Sequence, residues 1–316
     1  MDGFLQELLK RKLILVSGKG GIGKTSISAL IALHGASQGK KTLLVEFAAH
    51  DQVAPAFGLA SCGHVETSAA PNLRIINLNA RDNFKEYIVK YLGLGSIFEK
   101  VFANHVVTSF IETIPGIAEL MLLGRLFYSA HLRKEDPFDL VVFDGSASGH
   151  FLNLMTTPQA VADAGLIGPV RTESDRIREF LSDDAQTALV LVTTPDELAV
   201  NETLEFVPKL VVASPAKPKL IFANRVLSRR EIITQSHPVK DSIDLRKFDG
   251  FPALRSHFEG RAAREVHMLT QLCQGMAPHK LPILALQDRG ALPDRLDPEW
   301  ALKMARDDMW SLTWKP

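Results

Sequence analysis

Cysteine is nearly missing from this chain: its 316 residues hold only Cys62 and Cys273, far apart and outside any C-x-x-C or Cys/His cluster. That excludes a disulfide scaffold and a structural zinc site, and fits a reducing compartment in which both thiols are packing or surface groups. An excess of one charge sign is missing too, since Lys plus Arg and Asp plus Glu both number 36. Without a basic excess there is no electrostatic footprint for nucleic acid or an anionic membrane, and neither is expected as a partner. No stretch of about 18 uncharged apolar residues occurs, which excludes an ordinary membrane span and stable insertion through one. The opening Met1-Asp2-Gly3-Phe4-Leu5-Gln6-Glu7 mixes acids with apolar residues and has no cleavage pattern. A secretory signal is therefore not expected, and a cytoplasmic protein is. Internal repeats and low-complexity tracts are absent.

What is there begins with Leu13-Ile14-Leu15-Val16-Ser17-Gly18-Lys19-Gly20-Gly21-Ile22-Gly23-Lys24-Thr25-Ser26, an apolar run passing through glycines into a helical pattern. The glycines let consecutive backbone N–H groups turn inward around an anion, with no Cβ to block its approach. Lys24 is placed to reach β- and γ-phosphates, Thr25 offers a hydroxyl to Mg²⁺, and the helix that starts here points its positive dipole end at the same charge. Gly18-x4-Gly23-Lys24-Thr25 is the P-loop spacing. The same letters contain Gly18-x-Gly20-x-x-Gly23, a dinucleotide fingerprint, and Glu46 ends the next apolar run where a ribose-binding acid would stand. A nicotinamide-dependent oxidoreductase thus stands as an alternative, and a ligand-free glycine turn as another. Lys-Thr directly after the third glycine favours a nucleoside triphosphate, because a dinucleotide fold does not need it.

Downstream, residues 26–38 read as a helix closed by Gly39, 41–46 as a strand apolar on both faces, and 47–59 as a switch loop. Residues 73–78 read as another strand, and from Arg81 helical periodicity runs on for some 50 residues. So long a detour before the next strand predicts a helical insertion, at about 81–135 with a second part at 159–183, in one domain over 1–316. Within it, residues 114–127 are apolar around most of a helical circumference, which fits either subdomain core or a surface for a hydrophobic protein partner. Pro137-Phe138-Asp139-Leu140-Val141-Val142-Phe143-Asp144 is a buried strand ending in an acid, the arrangement that holds Mg²⁺ beside a P-loop. A glycine-hinged loop from Gly145 should follow and sense the γ-phosphate. Residues 171–181 read as an amphipathic helix, 187–192 as a strand and 194–203 as a helix start with acids in its first turn. Strands at 219–226 and 281–286 flank a long helix at 251–274, with Asn224 ending the first of them. Residues 287–290 form a loop, and Trp300, Trp310 and Trp314 are packing anchors in the closing segment. Alternating strands and helices predict an α/β fold with a mainly parallel, doubly wound sheet.

Lys19, directly after the first loop glycine, resembles the signature lysine of deviant P-loop ATPases of the partition, septum-site, nitrogenase iron-protein and arsenite-pump type. Asp144-x-x-Ala147-x-Gly149-His150-x-x-x-Leu154-x-x-x-Pro158 is similar to the "D-x-x-P-T-G-H-x-x-x-L-L-x-x-P" switch of the ArsA family, which includes arsenite-pump ATPases and the guided-entry ATPase for tail-anchored proteins. Pro115-Gly116-x-x-Glu119 also resembles that family's helical-subdomain motif. The resemblance implies ATP and Mg²⁺ as cofactors and a nucleotide-sandwich dimer, homodimeric or formed with a paralogous ATPase, in which Lys19 acts in trans. It implies Gly18, Gly20, Gly21, Ile22, Gly23, Lys24, Thr25 and Ser26 around the phosphates, Thr25 and Asp144 on the metal, Gly149-His150 as a switch hinge and Asn224 at adenine.

Two features depart from that family. Aligning residues 41–57 with "L-L-x-S-T-D-P-A-H-x-L-S-D-A-F" puts Ala48 where the water-positioning aspartate belongs, which leaves Glu46 and Asp51 as candidates to orient the attacking water. The arsenite-binding cysteines and the dimer-bridging C-x-x-C are absent, so neither arsenite transport nor a zinc-linked dimer follows. The expected activity is ATP hydrolysis coupled to movement of the helical subdomain. The alternative is a weakly hydrolysing or non-hydrolysing nucleotide-binding subunit that pairs with an intact paralogue.

Overall fold

The computed structural model describes residues 2–79, 83, 86, 116–165, 168–227, 251–287 and 312–313. Most of the helical pattern expected over 81–115, the loop at 288–290 and the three tryptophans lie outside the described residues. In chain order the elements are α1 (Asp2–Leu9), β1 (Leu13–Gly18), α2 (Lys24–Ser37), β2 (Thr42–Phe47), α3 (Val53–Ala56), β3 (Thr67–Ala70), β4 (Leu73–Leu78) and α4 (Ile117–Phe127). A π-helical turn, Tyr128–Leu132, extends α4. Then follow β5 (Leu140–Ala147), α5 (Ser148–Asp163), α6 (Pro169–Ser182), β6 (Thr187–Thr193), α7 (Glu197–Ala213), β7 (Pro218–Val226), α8 (Phe251–Met276), β8 (Ile283–Gln287) and β9 (Leu312–Thr313).

The strands form one sheet in the order β3-β4-β2-β5-β1-β6-β7-β8-β9. From β4 to β8 every pairing is parallel, and β3 and β9 close the edges antiparallel. The mainly parallel α/β sheet expected from the sequence is therefore the fold. Sequence reading missed β3, whose half-buried Thr67-Ser68-Ala69-Ala70 carries too little apolar signal to stand out.

The central strands are apolar on both faces because both faces are covered. Leu13 and Leu15 of β1 join one buried cluster with Leu43, Val45, Val141 and Phe143; Ile14 and Val16 join another with Leu44, Val142 and residues of α2. Burial of such side chains is worth about 1.5–3 kcal/mol each and fixes strand register, since a one-residue slip would exchange the faces. The helix α2 ends as the sequence predicts: Gly39, at φ 81°, donates to the Ala36 carbonyl at 3.0 Å.

Much of the apolar circumference of helix α4 is packed inside the described fold. Leu120, Leu122, Leu123, Leu126 and Phe127 are buried in the same cluster as the strands, with Ile177 and Phe180 of α6. The described part of the expected insertion thus builds directly onto one face of the sheet, and residues 120–127 serve its core. Arg125, equally buried, is satisfied by carboxylates, its Nη1 reaching Glu86 Oε1 at 2.9 Å and its Nη2 Glu66 Oε1 at 3.5 Å. No described helix is long and apolar enough to cross a membrane.

Candidate functional site

Register brings the site together. Val16 of β1 pairs with Asp144 of β5, and Asp144 pairs with Glu46 of β2, so these three lie in one row across adjacent strands. The face carrying Ile14, Leu44 and Val142 packs on α2. At its carboxyl end the same face turns acidic at Glu46 and Asp144, under the loop that joins β1 to α2. Ser17 Oγ donates to the Ser146 carbonyl at 3.0 Å and ties the two strands where the register shifts.

The loop needs its glycines for different reasons. Gly18 has φ 147°, and a Cβ there would lie 2.2 Å from the Val192 carbonyl oxygen. Gly23 has φ 93°, and its Cβ would lie 2.4 Å from Asn224 Nδ2. Nothing lies within 4 Å of a Cβ at Gly20 or Gly21.

A cavity of about 390 Å³ opens over this row, lined by Gly21, Gly23, Lys24, Thr25, Glu46 and Asp144, together with Ala48, Gln52, Gly145 and Arg225. The half-buried Lys24 donates from Nζ to the Lys19 carbonyl at 2.9 Å. Burial lowers the pKa of its ammonium, against the opposing charges of Asp144 and Glu202. Asp144 accepts from Ser28 Oγ at 2.9 Å and from the Thr25 hydroxyl. Burial raises its pKa, partly countered by those hydroxyls and by Lys24. Glu46 accepts from the backbone N–H of Gln52, 3.0 Å from each carboxylate oxygen, and from that of Val53 at 3.2 Å. Its pKa is raised as well, by burial first, with the two backbone donors pulling the other way and Asp144 and Asp51 adding repulsion. A buried pair of carboxylates above ordinary titration is a place that favours a cation.

Not every expected residue converges here. Asp51, expected beside the attacking water, is turned the other way: its carboxylate accepts from Ser61 Oγ, from the Cys62 N–H at 2.9 Å and from the Gly63 N–H at 3.3 Å. Burial pushes its pKa up, but those donors and Asn77 outweigh it and hold the carboxyl below its usual range. Asp51 thus fastens the loop at 61–63 and is absent from the cavity lining. Lys19 borders a different cleft, with Ser148, Glu202, Thr203 and Phe206. The glycine-hinged loop expected after Asp144 is replaced by continuous structure, because β5 keeps pairing as far as Ala147 and α5 begins at Ser148. Gly149 and His150 are exposed in the first turn of that helix and do not line the cavity. Asn224 Nδ2 donates to the Ile22 carbonyl at 2.8 Å, bracing the P-loop itself.

Four residues escaped sequence reading. Ser28 lies one helical turn beyond Lys24, so its spacing could have exposed it. Gln52 acts through its backbone, which leaves no trace in side-chain type. Ser148 Oγ hydrogen-bonds the Glu202 carboxylate across α5 and α7, a contact only the fold creates. Arg225 enters the cavity from the strand that carries Asn224.

Comparison with known proteins agrees with this geometry. Residues 11–166 match the family model described as "Anion-transporting ATPase". The ATPase BagA of Mycobacterium tuberculosis is 31% identical over 217 residues, 66% of this chain and 63% of that protein. An arsenical pump-driving ATPase of Acidiphilium multivorum is 30% identical over 209 residues, 60% of this chain and 35% of that protein. The ATPase GET3B of Arabidopsis thaliana is 25% identical over 261 residues, 67% and 64% of the two chains. The chain therefore spans less than two thirds of the length of these relatives. The match of the P-loop region to this ATPase family favours the nucleoside triphosphate reading over the dinucleotide alternative. From its loop lysines to the acid row beneath them, residues 11–166 of this chain match the ArsA family of P-loop ATPases.

Proposed function

We propose that this chain binds Mg·ATP at the cavity over the Val16–Asp144–Glu46 row and hydrolyses it in a nucleotide-sandwich dimer. One observation carries the reading: Lys24, Thr25, Asp144 and Glu46 converge on a single cavity at the start of α2. Lys24 and the loop N–H groups hold the β- and γ-phosphates, and the α2 dipole adds to their pull. The residues fit magnesium, because a buried carboxylate and a hydroxyl hydrogen-bonded to it are hard oxygen donors. Thr25 and Asp144 would hold the ion, with Ser28 orienting the carboxylate; when bound, it neutralises charge on the transferring phosphoryl group.

Glu46 takes the water-positioning role that Ala48 cannot perform. Its carboxylate is fixed by two backbone N–H groups at the cavity wall, and phosphoryl transfer depends on such positioning more than on covalent chemistry. Lys19, outside its own cavity lining, is free to serve the partner's nucleotide, a role comparable to an arginine finger. The phosphate state acts on the helices through Ser148 at the head of α5 and its bond to Glu202.

The experiment is steady-state ATP hydrolysis by the purified chain, with Lys24→Ala as background and Glu46→Gln alongside. Turnover above background that falls at least tenfold in Glu46→Gln supports the assignment. Ala48 at the cavity favours a second reading, a nucleotide-sensing subunit that needs a paralogue for catalysis. ATP binding without turnover would select it.

A further inference from the structure

We infer that Arg225 is a phosphate-contacting residue of this site, acting in cis on the β- and γ-phosphates of the bound nucleotide. The inference rests on the nucleotide-site reading and adds a residue that the motifs do not mark. Along the β7–β8 ladder, Ala223 pairs with Ala285 but Val226 pairs with Gln287, so β7 carries one more residue than its partner. That extra residue makes a bulge at 224–225, a device that re-aims side chains at the edge of a site. Arg225 has φ 59°. The other described non-glycine residues of positive φ are Asn72 and Asp136, types that tolerate this region, and Lys280, which closes a short 3₁₀ turn. An arginine held in the left-handed region inside a strand is strained, and such strain clusters where the side chain has a task.

The task follows from what the bulge reaches. Consecutive side chains fasten to consecutive P-loop carbonyls: Asn224 Nδ2 to Ile22 at 2.8 Å and Arg225 Nη1 to Gly21 at 3.4 Å. The second contact is long and engages one donor of a five-donor fork. Among the described residues no carboxylate pairs with this guanidinium, and its side chain lines the cavity beside Gly21, Gly23, Lys24 and Thr25. Glu46 and Asp144 place two carboxylates in that cavity, against the single ammonium of Lys24. A polyphosphate entering with one Mg²⁺ is still short of positive charge, and a planar guanidinium can meet two phosphate oxygens at once. Arg225 therefore exchanges a weak carbonyl contact for phosphate when nucleotide binds.

The test uses the full chain and compares Mg·ATP and AMP affinity, together with melting temperature, for the natural protein, Arg225→Ala, Arg225→Lys and Arg225→Gly. Lys24→Ala sets the background. Arg225→Ala is expected to weaken Mg·ATP about 10- to 100-fold, as loss of a charge-assisted hydrogen bond does, while AMP changes less than threefold. Arg225→Lys restores only part, because an ammonium makes a point contact. Arg225→Gly releases the backbone strain, so it loses ATP affinity as Arg225→Ala does while melting no lower than the natural protein. Unchanged ATP affinity in Arg225→Ala would overturn the inference, as would equal losses for ATP and AMP, or losses that track a fall in melting temperature. If the natural protein itself bound no ATP above the Lys24→Ala background, the nucleotide-site reading would fall first and take Arg225's role with it.

Discussion

Three glycines of the P-loop separate what the fold requires from what a ligand requires. At Gly18 a Cβ would meet the Val192 carbonyl at 2.2 Å and Ile22 Cδ1 at 2.8 Å, with φ at 147°. Val192 belongs to β6, which is paired on both sides, so its carbonyl cannot withdraw. Overpacking and a forbidden φ together give Gly18→Ala a loss of more than about 3 kcal/mol. Gly21 has φ 79° but open space around a Cβ, so Gly21→Ala carries only the left-handed penalty, about 1–2 kcal/mol. Gly20 has neither restriction, and Gly20→Ala is neutral or stabilising by about 0.5 kcal/mol through a less flexible unfolded chain. Urea unfolding should rank the three in that order. ATP binding should not follow the same ranking: Gly21 lines the cavity and Gly20 does not, so Gly21→Ala should lose ATP affinity at least tenfold while Gly20→Ala keeps it within about threefold. Wild-type ATP affinity in Gly21→Ala would refute the argument that this loop is kept bare for an anion. A stable Gly18→Ala would refute the close approach of β1 and β6 from which its cost is derived.

Further outcomes follow from the buried charges and from Lys19. Because the carboxyl pKa of Glu46 is raised by folding, its ionisation opposes the fold. That cost is absent below the ordinary carboxylate range near about pH 4.3, grows as pH rises toward the folded pKa and is constant above it. Glu46→Gln should therefore melt with the natural protein at about pH 4 and above it at neutral pH; a constant gap in a calorimetric pH series would count against this. Arg125→Met removes the buried cation between Glu66 and Glu86, which keep Arg133, Arg74 and His64 as partners, and should cost about 1–2 kcal/mol in urea unfolding; no measurable loss would mean the ion network is not holding α4. Lys19→Ala should keep the melting temperature and abolish ATP-dependent dimers in sedimentation, whereas intact dimers with intact turnover would remove Lys19 from the trans role.

How much of this was legible in the sequence depended on whether the signal was local. Strand β4 is bounded by its apolar run and appears over Leu73–Leu78, as the pattern predicts. The P-loop and Asp144 were readable because glycine, lysine and a terminal acid are demanded by geometry at short range. The fate of Asp51 was not readable. Its spacing made it a candidate for the attacking water, but Ser61, Cys62 and Gly63, brought back by the turn before β3, claim its carboxylate. Gly149 reads as a switch hinge from the resembling family motif; the sequence does not show that β5 pairs as far as Ala147 and that Gly149 falls in the first turn of α5. Arg225 was invisible for the opposite reason, since the bulge that aims it exists only in the ladder with β8.

The exchange of a loop acid for a strand-end acid has a mechanical consequence for the proposed ATPase. An aspartate at position 48 would ride on the loop and could approach or leave the γ-phosphate with it. Glu46 is instead the fifth residue of β2, fixed in register against Asp144, and the loop comes to it: the Gln52 and Val53 N–H groups at the head of α3 close on its carboxylate. The carboxylate is thus held between a rigid strand and a short helix, and any displacement of α3 removes two of its hydrogen bonds at once. The raised pKa sharpens that dependence, because an ionised, buried Glu46 stripped of those donors would be driven toward its neutral form. Neutral Glu46 has lost half of its acceptor character and orients a water poorly. Turnover in this chain would then be gated by the packing of Val53 and Ala54 beneath α3, both buried in the α2-side core, and not by a freely moving switch residue.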